Sequence, residues 1–210
     1  MITLYDYAAA PSPRRARIFL AEKAIKYKCI QVDIRAGEQL SDAFKAVNPR
    51  CAVPALVTKD GDTISENLAI ASYLEELYPI PNLMGKTPIE RANVLEWNWR
   101  CEFEGLSAIA EILRNTSPGM KSRAMTGPRN VEQLPALAER GVLRLGHFFE
   151  DLNAKLFKTE FVSGDAFSLA DITAVVGMDF AKWVKQYPSD DLTALHAWHA
   201  KVAARDSYKA

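Results

Sequence analysis

The chain begins with the hydrophobic pattern of a strand, a helix and a second strand. Apolar and polar side chains alternate over residues 2–5, with the two-residue period of a β-strand. Apolar positions then recur at helical spacing over residues 16–24, and alternation returns over residues 29–34. A strand–helix–strand order favours two parallel strands joined by a right-handed crossover.

Ser12 and Pro13 predict where the first helix begins. Serine is a preferred N-cap residue, and proline suits the first helical position because its missing N–H is not needed there. We therefore expect Ser12 to cap the helix and Pro13 to be its first residue.

A second group of elements follows over residues 42–77. A short helix is predicted over residues 42–47, and strands over residues 55–58 and 62–65 flank an Asp-Gly dipeptide. Asp-Gly between two strands is a strong hairpin signal. A further helix begins near Glu66. The order β-α-β-α-β-β-α predicts an α/β domain.

Two prolines bracket a short apolar stretch between these groups, in the motif Asn-Pro-x-x-x-Val-Pro-x-Leu at residues 48–56. Pro54 has no backbone N–H, which confines it to a sheet edge or to the start of a strand. The proline also favours an extended conformation at Val53, whose backbone groups could then pair with an extended peptide from outside. An ordinary strand start has the same pattern, so the motif alone leaves both interpretations open.

The composition changes after the two prolines of residues 79–85. No strand pattern follows, and helical stripes cover residues 89–113, 134–152, 168–184 and 192–204. Ser168 and Asp171 form a variant of the capping box at the start of the third stripe. We predict an α/β domain over residues 1–79, a linker over residues 80–88 and an all-helical domain over residues 89–210.

Composition and charge narrow the possible functions. The 210 residues are 49% hydrophobic and 25% charged, as in an ordinary globular protein. The formal net charge is zero, so no general attraction to nucleic acid or to an anionic membrane is expected. No apolar run approaches the ~20 residues that span a bilayer. The chain opens directly on a strand pattern and its three cysteines form no C-x-x-C pair, so we expect a cytoplasmic protein without a secretory signal.

Several common kinds of chemistry find no support in the sequence. Cys29, Cys51 and Cys101 are far apart, and no paired histidine spacing accompanies them, so we expect no metal. Neither a dinucleotide fingerprint nor a Walker motif is present. The histidines fall on predicted helices without a nucleophile motif, and we interpret them as surface or packing residues.

Three places could bind or activate an anionic ligand. Ser12 lies at a predicted helix N-terminus, where a hydroxyl could donate to a thiolate, although a plain N-cap explains it equally well. Glu66 and Asn67 begin another helix, whose free N–H groups suit a carboxylate, although an acid in a first turn is common. Residues 114–129 carry four basic side chains and no acidic one, which could steer an anion or form a solvated loop.

Taken together, these motifs resemble the soluble glutathione transferases over nearly the whole chain. The proline-bracketed motif is similar to the family's cis-proline strand, and the sequence Ser-Glu-Asn-Leu-Ala-Ile at residues 65–70 looks like its glutamyl-binding helix start. Residues 36–39 look like a loop of delta- and theta-like members, and residues 168–173 look like the capping motif of the helical domain. Residues 114–119 look most like a bacterial and fungal subgroup that lacks the usual catalytic tyrosine.

The resemblance implies a thioredoxin-like first domain, an all-helical second domain, a homodimer and glutathione as co-substrate. By position, Val53 would pair with the cysteinyl part of glutathione beside a cis Pro54. The other residues assigned in this way are Glu66 and Asn67 at the γ-glutamyl end, Gln39 and Cys51 near the glycyl end, and Ser12, or alternatively Asn115 or Ser117, at the thiol. Three positions depart from the family pattern: Asn67 replaces a serine, Ser12 lies between two prolines, and Leu68 stands where some relatives carry arginine.

The resemblance also implies a reaction. The thiolate of bound glutathione would attack a small hydrophobic electrophile in a cleft between the domains, with Phe103, Leu106, Leu113 and Arg114 as candidate wall residues. No nucleophile of the protein is required, because positioning and anion stabilisation suffice. A glutathione-dependent peroxidase or isomerase on the same fold, or a non-catalytic glutathione-binding module, is the alternative.

Overall fold

A four-stranded mixed sheet organises the first part of the chain. Strands β1 (Thr3–Asp6), β2 (Lys28–Gln31), β3 (Ala55–Val57) and β4 (Thr63–Ser65) lie in the order β2-β1-β3-β4. Strand β1 is parallel to β2 and antiparallel to β3, which is antiparallel to β4. Because β3 is an inner strand, Pro54 does not lie on a sheet edge. It immediately precedes the first residue of β3, which is the other position that a proline tolerates.

Three helices complete this part of the fold: α1 (Pro11–Glu22), α2 (Asp42–Val47) and α3 (Asn67–Leu77). Helices α1 and α3 pack against each other. Leu4, Phe19, Leu20, Leu56 and Leu74 are almost completely buried and form the centre of the core. The predicted thioredoxin-like α/β arrangement is confirmed.

Helix α1 begins earlier than the sequence predicts. Its N-cap is Ala10, with an extended backbone (φ −82°, ψ 140°), and Pro11 is its first residue. A helix leaves its first four N–H groups without internal partners, so Pro11 and Pro13 both fit in the first turn. The prediction of Ser12 as N-cap was therefore wrong: Ser12 is the second residue of the helix and its side chain caps no backbone group.

The second part of the chain is helical, as predicted. It contains α4 (Pro88–Arg100), α5 (Ser107–Thr116), α6 (Pro135–Leu156), α7 (Leu169–Ala181) and α8 (Thr193–Ala203). The single helix expected over residues 89–113 is interrupted by a π-helical stretch, Cys101–Leu106. Gly105 lies in this stretch, and a Cβ there would lie 2.8 Å from the ring of Phe148 on α6. A glycine is thus required for the close approach of these helices.

The start of α7 is capped as the sequence predicts. The backbone N–H and the hydroxyl of Ser168 both donate to Oδ2 of Asp171, at 2.9 and 3.0 Å. Oδ1 of Asp171 accepts from the backbone N–H of Val162 and from Nε1 of Trp198, both at 2.9 Å. Burial raises the pKa of Asp171 to about 6, although these four hydrogen bonds act in the opposite direction.

The computed structural model describes all 210 residues, in two compact units. The α/β unit contains Met1–Pro81, Met125–Asn130 and the last residue, whereas the helical unit contains Asn82–Ala124 and Val131–Lys209. None of the helices combines the length and the apolar character needed to cross a bilayer.

Candidate functional site

A cavity of about 290 Å³ opens in the α/β unit where the N-termini of α1 and α3 meet the loop before β3. It brings together five residues that the sequence assigned to ligand binding and five that it did not. The lining residues are Ser12, Val53, Pro54, Glu66 and Asn67 from the first group, and Asn48, Arg50, Ala52, Ser65 and Thr126 from the second.

The loop before β3 presents unpaired backbone to this cavity. The Val53–Pro54 peptide bond is cis. Asn48 is buried and holds the loop, since its Nδ2 donates to the carbonyl oxygen of Ala52 at 2.8 Å and its Oδ1 accepts from the N–H of Arg50 at 3.1 Å. No hydrogen bond within the chain uses the N–H or the C=O of Val53. An extended ligand can therefore pair with this residue.

The start of α3 forms a second wall with unused hydrogen-bonding capacity. Glu66 precedes the helix at φ 73°, a left-handed conformation that non-glycine residues rarely adopt and that often marks functional sites. Its exposed carboxylate lies 3.4 Å from Nε of Arg50. Asn67 is only 6% exposed, and its buried Oδ1 has no hydrogen-bond partner. A buried acceptor without a partner costs about 1–3 kcal/mol, so a donor supplied by a ligand would be favourable here.

Ser12 lies on the α1 side of the cavity. Its Oγ accepts a hydrogen bond from Nη2 of Arg15 at 3.2 Å. As the second residue of α1, Ser12 stands beside the free N–H groups and the positive end of the helix dipole. This environment favours a negative charge in the cavity.

Gln39 and Cys51 do not line the cavity. Gln39 is buried in a short 3₁₀ turn, Glu38–Leu40, where its Oε1 has no hydrogen-bond partner. Cys51 is buried at φ 53°, and its thiol makes only a weak contact with the carbonyl oxygen of Pro49, at 3.7 Å. Both residues are thus buried outside the lining of the cavity.

Asn115 and Ser117 lie in the helical unit, at the end of α5. The side chain of Asn115 is buried, donates to the carbonyl oxygen of Glu111 and accepts from the N–H of Leu134, both at 2.8 Å. The carbonyl oxygen of Ser117 accepts from Nε2 of Gln133, also at 2.8 Å. The amide of Asn115 thus already connects α5 to the start of α6.

The four candidate wall residues have separate neighbours in the helical unit. Half-exposed Phe103 stacks on Trp99 at 4.9 Å, with the guanidinium of Arg144 4.8 Å from its centroid. Leu106 and Leu113 are half-buried, and a Cβ at Gly177 would lie 3.7 Å from Leu106. Arg114 donates to the carbonyl oxygen of Arg123 at 2.9 Å. Burial lowers the pKa of Arg114, and the charge of Arg123 lowers it further.

The histidines and cysteines form no metal centre. His196 contacts the carbonyl oxygen of Ser189, and His199 lies 3.0 Å from a carboxylate oxygen of Asp179. No group of three or more His, Cys, Asp and Glu side chains is arranged to hold a metal ion. The wall of the cavity is built from helix ends, backbone groups and polar side chains such as Ser12.

Sequence reasoning missed part of the lining for two reasons. Asn48 belongs to the motif that was recognised, and an asparagine before a proline-bracketed loop could have been read as its anchor. Thr126 has no such signal. It reaches the cavity because the short segment Met125–Asn130 belongs to the α/β unit, far in sequence from the other residues of that unit.

Comparisons with known proteins identify the family. Residues 10–77 match the model of the glutathione S-transferase N-terminal domain, and residues 113–206 match that of the C-terminal domain. Glutathione S-transferase 2 of Saccharomyces cerevisiae is 34% identical over 214 aligned positions, which cover 98% of this chain and 87% of the relative.

Solved structures agree with this result. A glutathione S-transferase domain-containing protein of Marinobacter aquaeolei VT8 superposes with a TM-score of 0.90 at 34% identity, over 98% of both chains. A class Gtt2 glutathione S-transferase of Vibrio parahaemolyticus gives a TM-score of 0.83 at 29% identity, over 99% of this chain and 96% of the other. The α/β unit with its cavity, the helical unit and these full-length matches together show that the chain belongs to the glutathione S-transferase family.

Proposed function

We propose that this glutathione transferase binds glutathione along the loop before β3 and holds its sulfur at the N-terminus of α1. The observation that carries the proposal is the unpaired backbone of Val53 in a cavity bounded by two helix N-termini. The cysteinyl N–H and C=O of the tripeptide would pair with Val53 next to cis Pro54, as in strand addition.

The γ-glutamyl end is assigned to the start of α3. Its carboxylate would accept from the free N–H groups of the helix, and its ammonium would pair with Glu66 and with the unsatisfied Oδ1 of Asn67. Gln39 and Cys51 stay assigned near the glycyl end, with less support because neither lines the cavity.

We assign activation of the thiol to Ser12. The hydroxyl lies in the cavity beside the positive end of α1, where a hydrogen bond and the helix dipole both lower the pKa of a thiol from about 8.5. Asn115 and Ser117 are the alternative. The assignment of Asn115 is weakened because its side-chain amide already has a donor and an acceptor partner. We also propose that the chain belongs to a subgroup that lacks the usual catalytic tyrosine, because of residues 114–119, and that it has delta- and theta-like features, because of residues 36–39.

The thiolate would conjugate small hydrophobic electrophiles. Nucleophilic attack forms the carbon–sulfur bond and expels the leaving group of the electrophile, while the electron pair comes from the sulfur. We keep Phe103, Leu106, Leu113 and Arg114 as candidate contacts of the electrophile. A role in detoxification is part of the proposal, and so is a cytoplasmic location, which is based on the three cysteines without a C-x-x-C pair.

A homodimer is proposed as the working assembly. Leu95, Trp99 and Phe103 are each at least 43% exposed and follow one another at four-residue spacing on α4 and the π-helical stretch. Such an apolar stripe is more exposed than an isolated monomer favours, and two copies could cover it with each other.

The alternatives receive less support. Maleylacetoacetate isomerase of Rattus norvegicus is 43% identical to this chain, but over only 43% of it, whereas the relatives that match nearly the whole chain are transferases. Binding without turnover would favour a non-catalytic module.

Calorimetry and spectroscopy test the proposal. Glutathione should bind, and the bound form should show ultraviolet thiolate absorbance at a pH below the pKa of the free thiol. S-methylglutathione, which has no ionisable thiol, is the matched control and should bind without this absorbance. A panel of electrophiles then measures turnover. Absence of glutathione binding would overturn the proposal, and binding without thiolate absorbance would overturn the assigned activation.

A further inference from the structure

Arg50 and Glu66 are the two charged residues in the lining of the cavity, and all the other lining residues have neutral side chains. Nε of Arg50 lies 3.4 Å from a carboxylate oxygen of Glu66, and the two side chains are 71% and 67% exposed. A ligand in this cavity therefore meets one positive and one negative group side by side.

The backbone has an uncommon conformation at both ends of this ion pair. Glu66 has φ 73°, and Cys51, which directly follows Arg50, has φ 53°. Residues other than glycine seldom adopt such left-handed conformations, which persist only where the surrounding structure enforces them. The chain thus holds Arg50 and Glu66 at a single cavity although they come from two different loops.

The ion pair leaves part of the guanidinium available to a ligand. An exposed ion pair is screened by water and contributes little to the stability of a fold. Arg50 contacts Glu66 through Nε, whereas its Nη1 and Nη2 donate to no group of the chain. A guanidinium presents its donors in a planar fork that matches the oxygens of a carboxylate. Arg50 can therefore bind a second carboxylate while it stays beside Glu66.

The γ-glutamyl end of glutathione carries the matching charges. Its ammonium and its α-carboxylate are attached to the same carbon atom, whereas the glycyl carboxylate lies about 10 Å away in an extended tripeptide. In the proposed binding mode the ammonium pairs with Glu66 and with Oδ1 of Asn67, which is 6% exposed and whose Oδ1 has no partner in the chain. The α-carboxylate must then lie close to Glu66, where Arg50 is the one cation of the lining.

We propose that Arg50 is a further specificity-determining residue for glutathione: its guanidinium binds the α-carboxylate of the γ-glutamyl end, beside the ammonium that pairs with Glu66. The inference rests on the proposed function, in which the γ-glutamyl end lies at the start of α3. One oxygen of the α-carboxylate accepts from the N–H groups of α3 and the other accepts from Arg50. The two opposite charges of the cavity thus select peptides that carry both charges of a free amino acid at this end.

Calorimetry with S-methyl peptides on the full chain tests which carboxylate Arg50 binds. The methyl group removes the ionisable thiol, so activation of the thiol does not enter the measured affinity. The first probe is S-methylglutathione. The second has 4-aminobutyrate in place of glutamate and lacks the α-carboxylate, and the third has a C-terminal amide and lacks the glycyl carboxylate. We expect Arg50→Met to weaken binding of the first and third probes by about tenfold, and binding of the second by less than about twofold.

Lys59→Met is the matched control, because it removes a positive charge from the hairpin between β3 and β4, outside the lining of the cavity. An equal loss of affinity in Lys59→Met and Arg50→Met would reduce the effect to the general charge of the unit and overturn the inference. Should Arg50→Met not fold, Arg50→Gln carries the same comparison.

The three probes also separate the inference from the proposed function. If Arg50→Met weakens binding of the first and second probes equally, or leaves the affinity for the first or the third unchanged, Arg50 does not bind the α-carboxylate and the inference is overturned. In each of these cases the wild type still binds S-methylglutathione, so the proposed function stands. If the wild type does not bind S-methylglutathione at all, the proposed function fails and the inference fails with it.

Discussion

The starts of α3 and α7 show two different uses of a helix N-terminus. At α7, Asp171 receives four hydrogen bonds and no polar atom of the carboxylate is left without a partner. At α3, no side chain caps the helix, Glu66 has a positive φ, and the buried Oδ1 of Asn67 has no partner. The first arrangement stabilises the fold, whereas the second leaves donors and an acceptor free for a ligand.

One chain can thus keep the groups that stabilise its fold separate from the groups that bind a ligand. Polar groups that are satisfied within the fold contribute to its stability and bind nothing further. Polar groups left unsatisfied cost free energy until a ligand with matching groups arrives, which is a form of preorganisation. The following predictions test whether the two helix starts differ in this way.

The substitution Asp171→Ala should have the largest effect, which is a loss of stability. The substitution leaves the N–H groups of Val162, Ser168 and Trp198 without their acceptor in a buried site. We expect the free energy of unfolding to fall by about 3–5 kcal/mol, as when one partner of a buried charged network is removed. Urea unfolding followed by circular dichroism measures it. A loss below about 1 kcal/mol would mean that the network at α7 is not what stabilises this unit.

The second largest effect should be a pH dependence of stability that is caused by the titration of Asp171. The pKa of Asp171 is raised from 3.8 to about 6 in the folded state, so between these values the folded protein binds more protons than the unfolded one. The contribution of Asp171 to the free energy of unfolding therefore falls as the pH rises from about 4 to about 6. The total decrease is up to about 3 kcal/mol, and the contribution is constant at higher pH. Unfolding of the wild type and of Asp171→Asn across pH 4–7 isolates this contribution, because other carboxylates titrate equally in both proteins. Identical slopes would contradict the assignment.

At the other helix start, Ser12→Ala should affect turnover and not stability. Removal of one donor that stabilises a developing or bound anion typically costs about a hundredfold in rate. We expect a decrease of about ten- to a hundredfold in turnover, with unfolding in urea unchanged to within about 0.5 kcal/mol. Ser117→Ala is the matched control in the helical unit. If Ser117→Ala and not Ser12→Ala reduces turnover, activation of the thiol belongs to the end of α5.

The same comparison explains what could be predicted from the sequence. The capping box of α7 and the hairpin at Asp60-Gly61 depend on neighbouring residues, and both are present: the N–H of Thr58 donates to the carbonyl oxygen of Asp62 at 2.8 Å, and Gly61 has φ 97°. The order of the strands and helices follows from hydrophobic periodicity for the same reason.

The candidate site was harder to predict because its features are not local. Two prolines offered two possible starts for α1, and the sequence does not distinguish them, so the position of Ser12 in the first turn was missed. The positive φ of Glu66 and the unsatisfied Oδ1 of Asn67 arise from the way β4 leads into α3, which no spacing of residues reveals. Such exceptions to local rules are expected where a protein binds its ligand.

Asn67→Ala tests the comparison most directly, although its expected effect is the smallest. If Oδ1 of Asn67 accepts a hydrogen bond from bound glutathione, removal of the side-chain amide should weaken glutathione binding by about tenfold. This corresponds to the loss of one hydrogen bond to a charged group. Stability should stay constant or increase slightly, because an unsatisfied buried acceptor is lost. Calorimetry with glutathione and urea unfolding measure the two quantities on the same preparation. Asn67→Ser, which restores the residue usual in the family, should bind glutathione better than Asn67→Ala. The opposite pattern, with unchanged affinity and a loss of several kcal/mol in stability, would mean that Asn67 supports the fold as Asp171 does and that the two helix starts serve the same purpose.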